Sequence, residues 1–244
     1  MGDDDEMRSF WDEKAGDNPL WYVHSGLDFA APDEAEFFAS GEREVAAVME
    51  AAGVTGGTLA VDVGVGGARL TRALASRFER VWACDVSPAM LEVARDNLGG
   101  LANVDLAVVP GDGSLPLGDG LASFVLTLQV LQHIPSRAAQ LRYVREAGRV
   151  LAPGGKAVFH VRSTLRTDPV LGSGELLARA GIEWLRRRRT PPPQNLDSPA
   201  WRGARVGLWQ VRAAAEAAGL RVVRHRFISR QGASLLVVCE KPST

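Results

Sequence analysis

Leu59-Ala60-Val61-Asp62-Val63-Gly64-Val65-Gly66-Gly67-Ala68-Arg69 decides the fold. An apolar run ends at glycines, and Leu70, Leu74 and Phe78 then recur four apart, as on one face of a helix. The stretch therefore reads as a buried strand handing over to a helix through a tight turn. Glycine gives such a turn its backbone freedom and lets a ligand approach main-chain atoms that a Cβ would screen. A dinucleotide fingerprint would need glycine at position 69, where Arg69 stands, which damages an NAD reading. Read alone, a strand–helix turn without a ligand explains the stretch as well.

Outward from it, strands are predicted over 80–84, 104–109, 121–128 and 156–161, with helices over 87–98 and 136–150. Strand and helix alternating at this spacing demand crossover connections, hence a mainly parallel sheet covered on both faces. An irregular stretch, 162–205, follows, with a helix over 173–189 that Pro191-Pro192-Pro193 must break. A helix over 208–218 and strands over 220–227 and 233–239 close the chain. Ser229-Arg230-Gln231-Gly232 is too short for a parallel crossover, so the last strand is predicted to be antiparallel. The expected fold class is α/β, a Rossmann-like doubly wound sheet.

Composition narrows the function. The 244 residues are 46% hydrophobic and 23% charged, enough for a large core and too apolar for extended disorder. A net charge of −1 makes no case for nucleic acid. Two cysteines cannot build a disulfide scaffold or a cysteine-only zinc site. The acidic start Gly2-Asp3-Asp4-Asp5-Glu6 is unlike a secretory signal, and no long apolar run suggests a membrane span, so a cytoplasmic location is expected. The near-zero charge hides a polarity. Residues 1–50 hold 14 acids and 3 bases, whereas 162–205 hold 9 arginines and 4 acids. Arg186-Arg187-Arg188-Arg189 ends a predicted helix without interleaved aromatics and reads as a solvated helix end. The 25 arginines against 3 lysines accompany abundant Ala, Gly, Val and Pro, a codon-usage pattern rather than a ligand signal.

Spacing turns the glycine turn into a site. Asp85 ends the second strand 19 residues after Gly66, where a carboxylate accepts from both hydroxyls of a ribose. Asp112-Gly113 lies beyond the third strand, where an acid can accept from the exocyclic amine of adenine. Each acid alone suits a turn or cap, but three such features at successive strand ends converge on one crevice.

Over roughly residues 40–244 the chain resembles class I S-adenosylmethionine-dependent methyltransferases. Their Asp/Glu-x-Gly-x-Gly-x-Gly motif is matched by Asp62, Gly64 and Gly66, with Ala68 at the third glycine. Asp85 precedes Ser87-Pro88-Ala89-Met90, Asp112-Gly113 matches the acid-plus-small pair, strand four ends in Gln129-Val130-Leu131-Gln132-His133-Ile134-Pro135, and Leu151-Ala152-Pro153-Gly154-Gly155 matches the turn before strand five. The resemblance implies seven strands in the order 3-2-1-4-5-7-6 and S-adenosylmethionine as cofactor, leaving as S-adenosylhomocysteine. It implies cofactor contacts from Asp62, Gly64, Gly66, Asp85, Val86, Met90, Asp112, Gly113 and Gln129, with the Ala68 methyl near the cofactor's methionine end. In that order Cys84 and Cys239 lie on opposite sides of the sheet, unpaired.

The division expected is an amino-terminal helical lid (1–50), a cofactor-binding core (51–161), a lid-like insertion (162–205) and the rest of the core (206–244). His133, after strand four, is the candidate general base or a residue that orders its loop. His160 and His24 are further candidates. Trp11, Trp21 and Tyr22 suit either an acceptor wall or helix packing. No metal is expected. The activity expected is methyl transfer to a small-molecule acceptor, most simply an oxygen in natural-product metabolism, by a monomer or homodimer. Nitrogen or carbon acceptors, and a cyclase or regulator that binds the cofactor without methylating, stay open. RNA or protein substrates are disfavoured by the charge and by the lack of a recognition domain.

Overall fold

In the computed structural model, which describes residues 3–163, 198–228 and 234–243, β1 (Gly57–Val63) lies inside a seven-stranded sheet. Around it run β2 (Phe78–Asp85), β3 (Val104–Val108), β4 (Ala122–Thr127), β5 (Leu151–Arg162), β6 (Arg221–Phe227) and β7 (Ser234–Glu240). Their order is β3-β2-β1-β4-β5-β7-β6, with β7 antiparallel to both β5 and β6. This is the order and the antiparallel last strand expected from the sequence.

The period-two alternation of each strand feeds two cores. Val61, Val63, Val125, Phe159 and Val161 face one cluster, covered by α6 (Arg137–Val150) and α8 (Leu208–Ala217). Ala60, Val81, Ala83, Leu126 and Val158 face the other, covered by α3 (Glu34–Ala52), α4 (Arg69–Ala75) and α5 (Pro88–Leu98). The remaining helices, α1 (Asp3–Asp17), α2 (Pro19–Val23) and the short α7 (Pro199–Arg202), lie near the glycine end of the sheet. Helix starts follow their capping chemistry. Ser87 accepts from Met90 N with Pro88 in the first turn, and Ser136 accepts from Ala139 N.

Three boundaries differ from the reading of the sequence. Phe78 opens β2 instead of continuing a helix, because α4 stops at Ala75 and the ring stacks on Phe124 at 5.7 Å. Pro153-Gly154-Gly155 lies inside β5, as an irregularity between the Ala122–Leu151 and Phe124–Lys156 pairs, with Gly154 at φ +79°. The expected 1–50 lid divides: α3 is a layer of the core, with Val45, Val48 and Met49 buried, and only the residues before it form a cap. Cys84 and Cys239 are free and buried on one face, four strand spacings or about 19 Å apart. The expected 173–189 helix, the Arg186–Arg189 run, Pro191–Pro193 and the 229–232 turn lie outside the described residues. Among the described residues no helix is long and apolar enough to cross a membrane.

Candidate active site

The loops after β1, β2 and β4 open at the same end of the sheet, and one cavity runs between them beneath the cap. Gly64 (φ +83°) and Gly66 (φ +48°) adopt left-handed conformations in its wall. A Cβ on Gly64 would meet Val130 Cγ2 at 2.3 Å, and one on Gly66 would meet Val23 Cγ2 at 2.7 Å. Ala68 is also left-handed (φ +62°), a conformation that is costly with a Cβ. Its methyl packs in the core beside α4 and is absent from the cavity wall, contrary to the expectation that it stands near a bound ligand.

Asp85 binds the glycine loop to the second strand end. Its Oδ2 accepts from Gly66 N (3.0 Å) and its Oδ1 from Ser87 N (3.1 Å). Burial raises its pKa, while the backbone donors of Gly66 and Ser87 pull the other way. Val86 and Met90 line the cavity beside it. Gln129 does too, at φ +64°, and its N–H donates to His160 Nδ1 (3.2 Å). His160 therefore carries its proton on Nε2. Burial lowers its pKa to about 4, so it is neutral at pH 7. It supports Gln129 from behind, outside the cavity wall, and the structure does not place it against an acceptor.

Asp62 stands behind the loop, 1% exposed, with Oδ2 accepting from Thr71 Oγ1 at 2.6 Å. Burial raises its pKa to about 7 against the pull of Thr71 and Arg69. A carboxyl raised from 3.8 binds more protons folded than unfolded between those values, so it makes stability fall as pH rises from about 4 to 7. Asp62→Asn is expected to flatten that slope, which urea unfolding at pH 5 and pH 8 would measure. An unchanged slope would refute the assignment.

Arg69 is a residue that sequence reasoning missed as part of the site, using it only as a break in the dinucleotide pattern. It is 2% exposed and lines the cavity. Its guanidinium donates to Ser40 Oγ (3.2 Å) and Glu44 Oε2 (3.0 Å), and its Nε has no partner. Among the described residues lining the cavity, Arg69 and Asp85 are the charged groups. An arginine where the dinucleotide pattern requires glycine was the one available signal.

Past β4 the wall becomes aromatic. His133 Nδ1 donates to Trp201 O (2.6 Å), which fixes the tautomer, so Nε2 accepts from the Gln132 side-chain amide (3.1 Å). Removal from water lowers its pKa to about 4 despite the Trp201 hydrogen bond. The rings of Trp11, His133 and Trp201 lie 5.0–6.1 Å from one another. Trp201 was not legible as a site residue, because its position depends on the 198–206 segment crossing the loop after β4. Ala204 N donates to Ile134 O there, and Gln140 Nε2 donates to the carbonyls of both.

Other expected residues are placed elsewhere. Tyr22 lines the cavity, its hydroxyl donating to Asp17 (3.0 Å) and its pKa raised by burial to about 12. Trp21 packs against Tyr22, Phe29 and Trp201 behind the wall, and His24 ends α2 outside it. Asp112 lies beside α6. Its Oδ1 accepts from Ser114 N and Oγ, its Oδ2 pairs with Arg142 at 2.7 Å, and neither it nor Gly113 reaches the cavity. The ion pair and the local turn engage both oxygens. Among the described residues no cluster of three or more His, Cys, Asp or Glu is placed to hold a metal.

The cavity fits S-adenosylmethionine by its own chemistry. Asp85 offers acceptors to a ribose diol, the glycines leave backbone open, and Arg69 brings a positive charge to the same wall. Residues 61–159 match the family model described as a methyltransferase domain. That match and the strand order above support the resemblance of this part of the chain to class I S-adenosylmethionine-dependent methyltransferases. The chain is 31% identical over 132 residues to a ubiquinone biosynthesis O-methyltransferase of Xanthomonas oryzae pv. oryzae (strain PXO99A), covering 54% of this chain and 52% of that protein. It spans about half the length of the curated relatives it matches. Two solved structures share the fold. The N-methyltransferase NodS of Bradyrhizobium japonicum WM9, in complex with S-adenosylhomocysteine, superposes with TM-score 0.62 at 13% identity over 97% of this chain and 98% of that one. The [4+2]-cyclase SpnF superposes with TM-score 0.65 at 17% identity, over 99% and 97%.

Proposed function

We propose that the protein transfers a methyl group from S-adenosylmethionine to a hydroxyl oxygen of a small aromatic acceptor. One observation carries the reading: a single cavity joins Gly64, Gly66, Arg69 and Asp85 to Trp11, His133 and Trp201. S-adenosylmethionine supplies an electrophilic methyl on a sulfonium, so the protein's task is placement and exclusion of water, and orientation alone is worth an effective molarity of about 10⁵–10⁸ M.

Asp85, Gly66 and Arg69 bind and orient the cofactor. Trp11, Tyr22 and Trp201 cover the cavity, present flat apolar faces to an acceptor ring and keep water away. His133 Nε2 carries the ring's accepting lone pair, and an acceptor hydroxyl donating to it in place of Gln132 would have its oxygen held for attack. With its pKa near 4 the ring orients the hydroxyl rather than storing its proton, which leaves to water. The pH–rate profile should accordingly show no limb near 6.5, and the rate should stay level from pH 6 to pH 8. His133→Ala should lower turnover about 10- to 100-fold, the scale of one lost oriented hydrogen bond, with cofactor affinity unchanged. Near-normal turnover in that variant would remove His133 from the mechanism.

The direct test incubates the protein with S-adenosylmethionine and a metabolite panel, and reads S-adenosylhomocysteine release together with a 14-dalton gain in the acceptor. The panel should hold natural-product phenols, the acceptor class this reading assigns, and quinone precursors, which the Xanthomonas relative's name suggests. An acceptor consumed without S-adenosylhomocysteine release would support the cyclase or rearrangement reading instead.

A further inference from the structure

Asp12, a half-buried carboxylate on α1, reaches the start of α5. Its Oδ1 accepts from Ser87 Oγ at 2.6 Å and from Ala89 N at 3.2 Å. One turn earlier on the helix, Arg8 Nε donates to Val86 O at 3.2 Å. Ser87 in turn accepts from Met90 N and donates its own N–H to Asp85 Oδ1, while Asp85 Oδ2 holds Gly66 N. An unbroken series of hydrogen bonds thus runs from α1 through the start of α5 to the ribose acid and the glycine loop. The same α1 carries Met7 and Trp11 into the cavity wall, and the α2 that follows presses Val23 onto Gly66.

We propose that Asp12 is a positioning residue that couples docking of α1 to occupancy of the cofactor site, so that loading the cofactor completes the acceptor wall. This rests on the methyl-transfer reading of the cavity. The physical cause is the meeting of two acids. Asp12 brings a second negative charge toward Asp85, whose buried carboxylate it opposes. Ribose hydroxyls donating to Asp85 would spread that charge and lessen the opposition, so a docked α1 costs less when the cofactor is bound. By linkage the reverse holds equally: a docked α1 tightens the cofactor. Acceptor binding follows cofactor binding, because Trp11 reaches its place in the wall with the helix that Asp12 holds.

Hydrogen exchange of residues 3–17, followed by mass spectrometry with and without saturating S-adenosylhomocysteine, tests this on the full chain. In the wild type the ligand should slow exchange of this segment at least tenfold. In Asp12→Ala the ligand should still bind, with a Kd about 5- to 10-fold weaker by calorimetry, but should slow exchange of 3–17 less than twofold. Asp12→Asn keeps an oxygen that can accept from Ser87 and Ala89 but removes the charge that opposes Asp85, so residues 3–17 should stay protected with or without the ligand, and the ligand should slow their exchange less than twofold. Equal protection in wild type and Asp12→Ala, or no protection in a wild type that binds the ligand, would overturn the coupling. A wild type that does not bind S-adenosylhomocysteine at all would overturn the methyl-transfer reading itself, and calorimetry separates that result from the others.

Discussion

Asp85→Ala is expected to weaken S-adenosylmethionine binding by about 10- to 100-fold, the equivalent of losing hydrogen bonds to a charged group worth about 1.5–3 kcal/mol. The loss has two parts. The carboxylate is the acceptor available to the ribose, and it also anchors Gly66 and Ser87 through its two oxygens. The fold should survive, because removing a desolvated charge offsets part of the cost of leaving the Gly66 and Ser87 N–H groups without their acceptor. Calorimetric titration gives the affinity and a thermal melt confirms folding. An unchanged Kd in a folded variant would detach Asp85 from the cofactor. In the wild type, affinity should fall on acidification at a higher pH than for an ordinary aspartate, because burial raises this carboxyl and the protonated form loses acceptor capacity.

Gly41→Ala carries the largest expected effect on stability. In an exposed helix interior this change is favourable by about 1 kcal/mol. Here a Cβ would stand 2.2 Å from Arg69 O and 2.7 Å from Arg69 Cγ. The contact is with backbone at the first residue of α4, directly after the glycine loop, so no rotamer change relieves it. Overpacking of this kind costs about 3 kcal/mol or more. The clash wins, leaving a net loss of about 2 kcal/mol and a melting temperature lower by about 4–8 °C. The displaced α4 should also shift Arg69 and weaken the cofactor. A variant as stable as the wild type would show that α3 and α4 are not packed as closely as the geometry requires.

Much of this was legible because it is local. The Gly64–Gly66 turn, Asp85 at the end of the next strand and the short final connection each sit in a few residues of sequence; the last predicts the antiparallel strand, and the family resemblance implies the strand order found. Residues fixed by distant partners were not legible. Arg69 reads as a polar helix residue until Ser40 and Glu44 of α3 are seen around it. Asp112 has the spacing of a cofactor acid, yet Arg142 of α6, 30 residues on, takes one of its oxygens. His160 and His133 look alike in sequence. One turns to Gln129 behind the wall and the other to Trp201 within it, a choice set by segments 31 and 68 residues away. Asp12 gave no signal, since its partners begin 75 residues downstream.

That last separation has a consequence during synthesis. α1 leaves the ribosome before the Ser87–Ala89 corner that receives it, which emerges 75 residues later, and Trp201, which holds His133, follows still later. A nascent chain can therefore close its cofactor half well before the carboxy-terminal segment arrives to finish the acceptor wall. Until then Met7 and Trp11, buried or half-buried in the finished protein, have no wall to join. Until that corner emerges the amino-terminal helix is an acidic segment, and its charge keeps those apolar side chains from drawing neighbouring chains together.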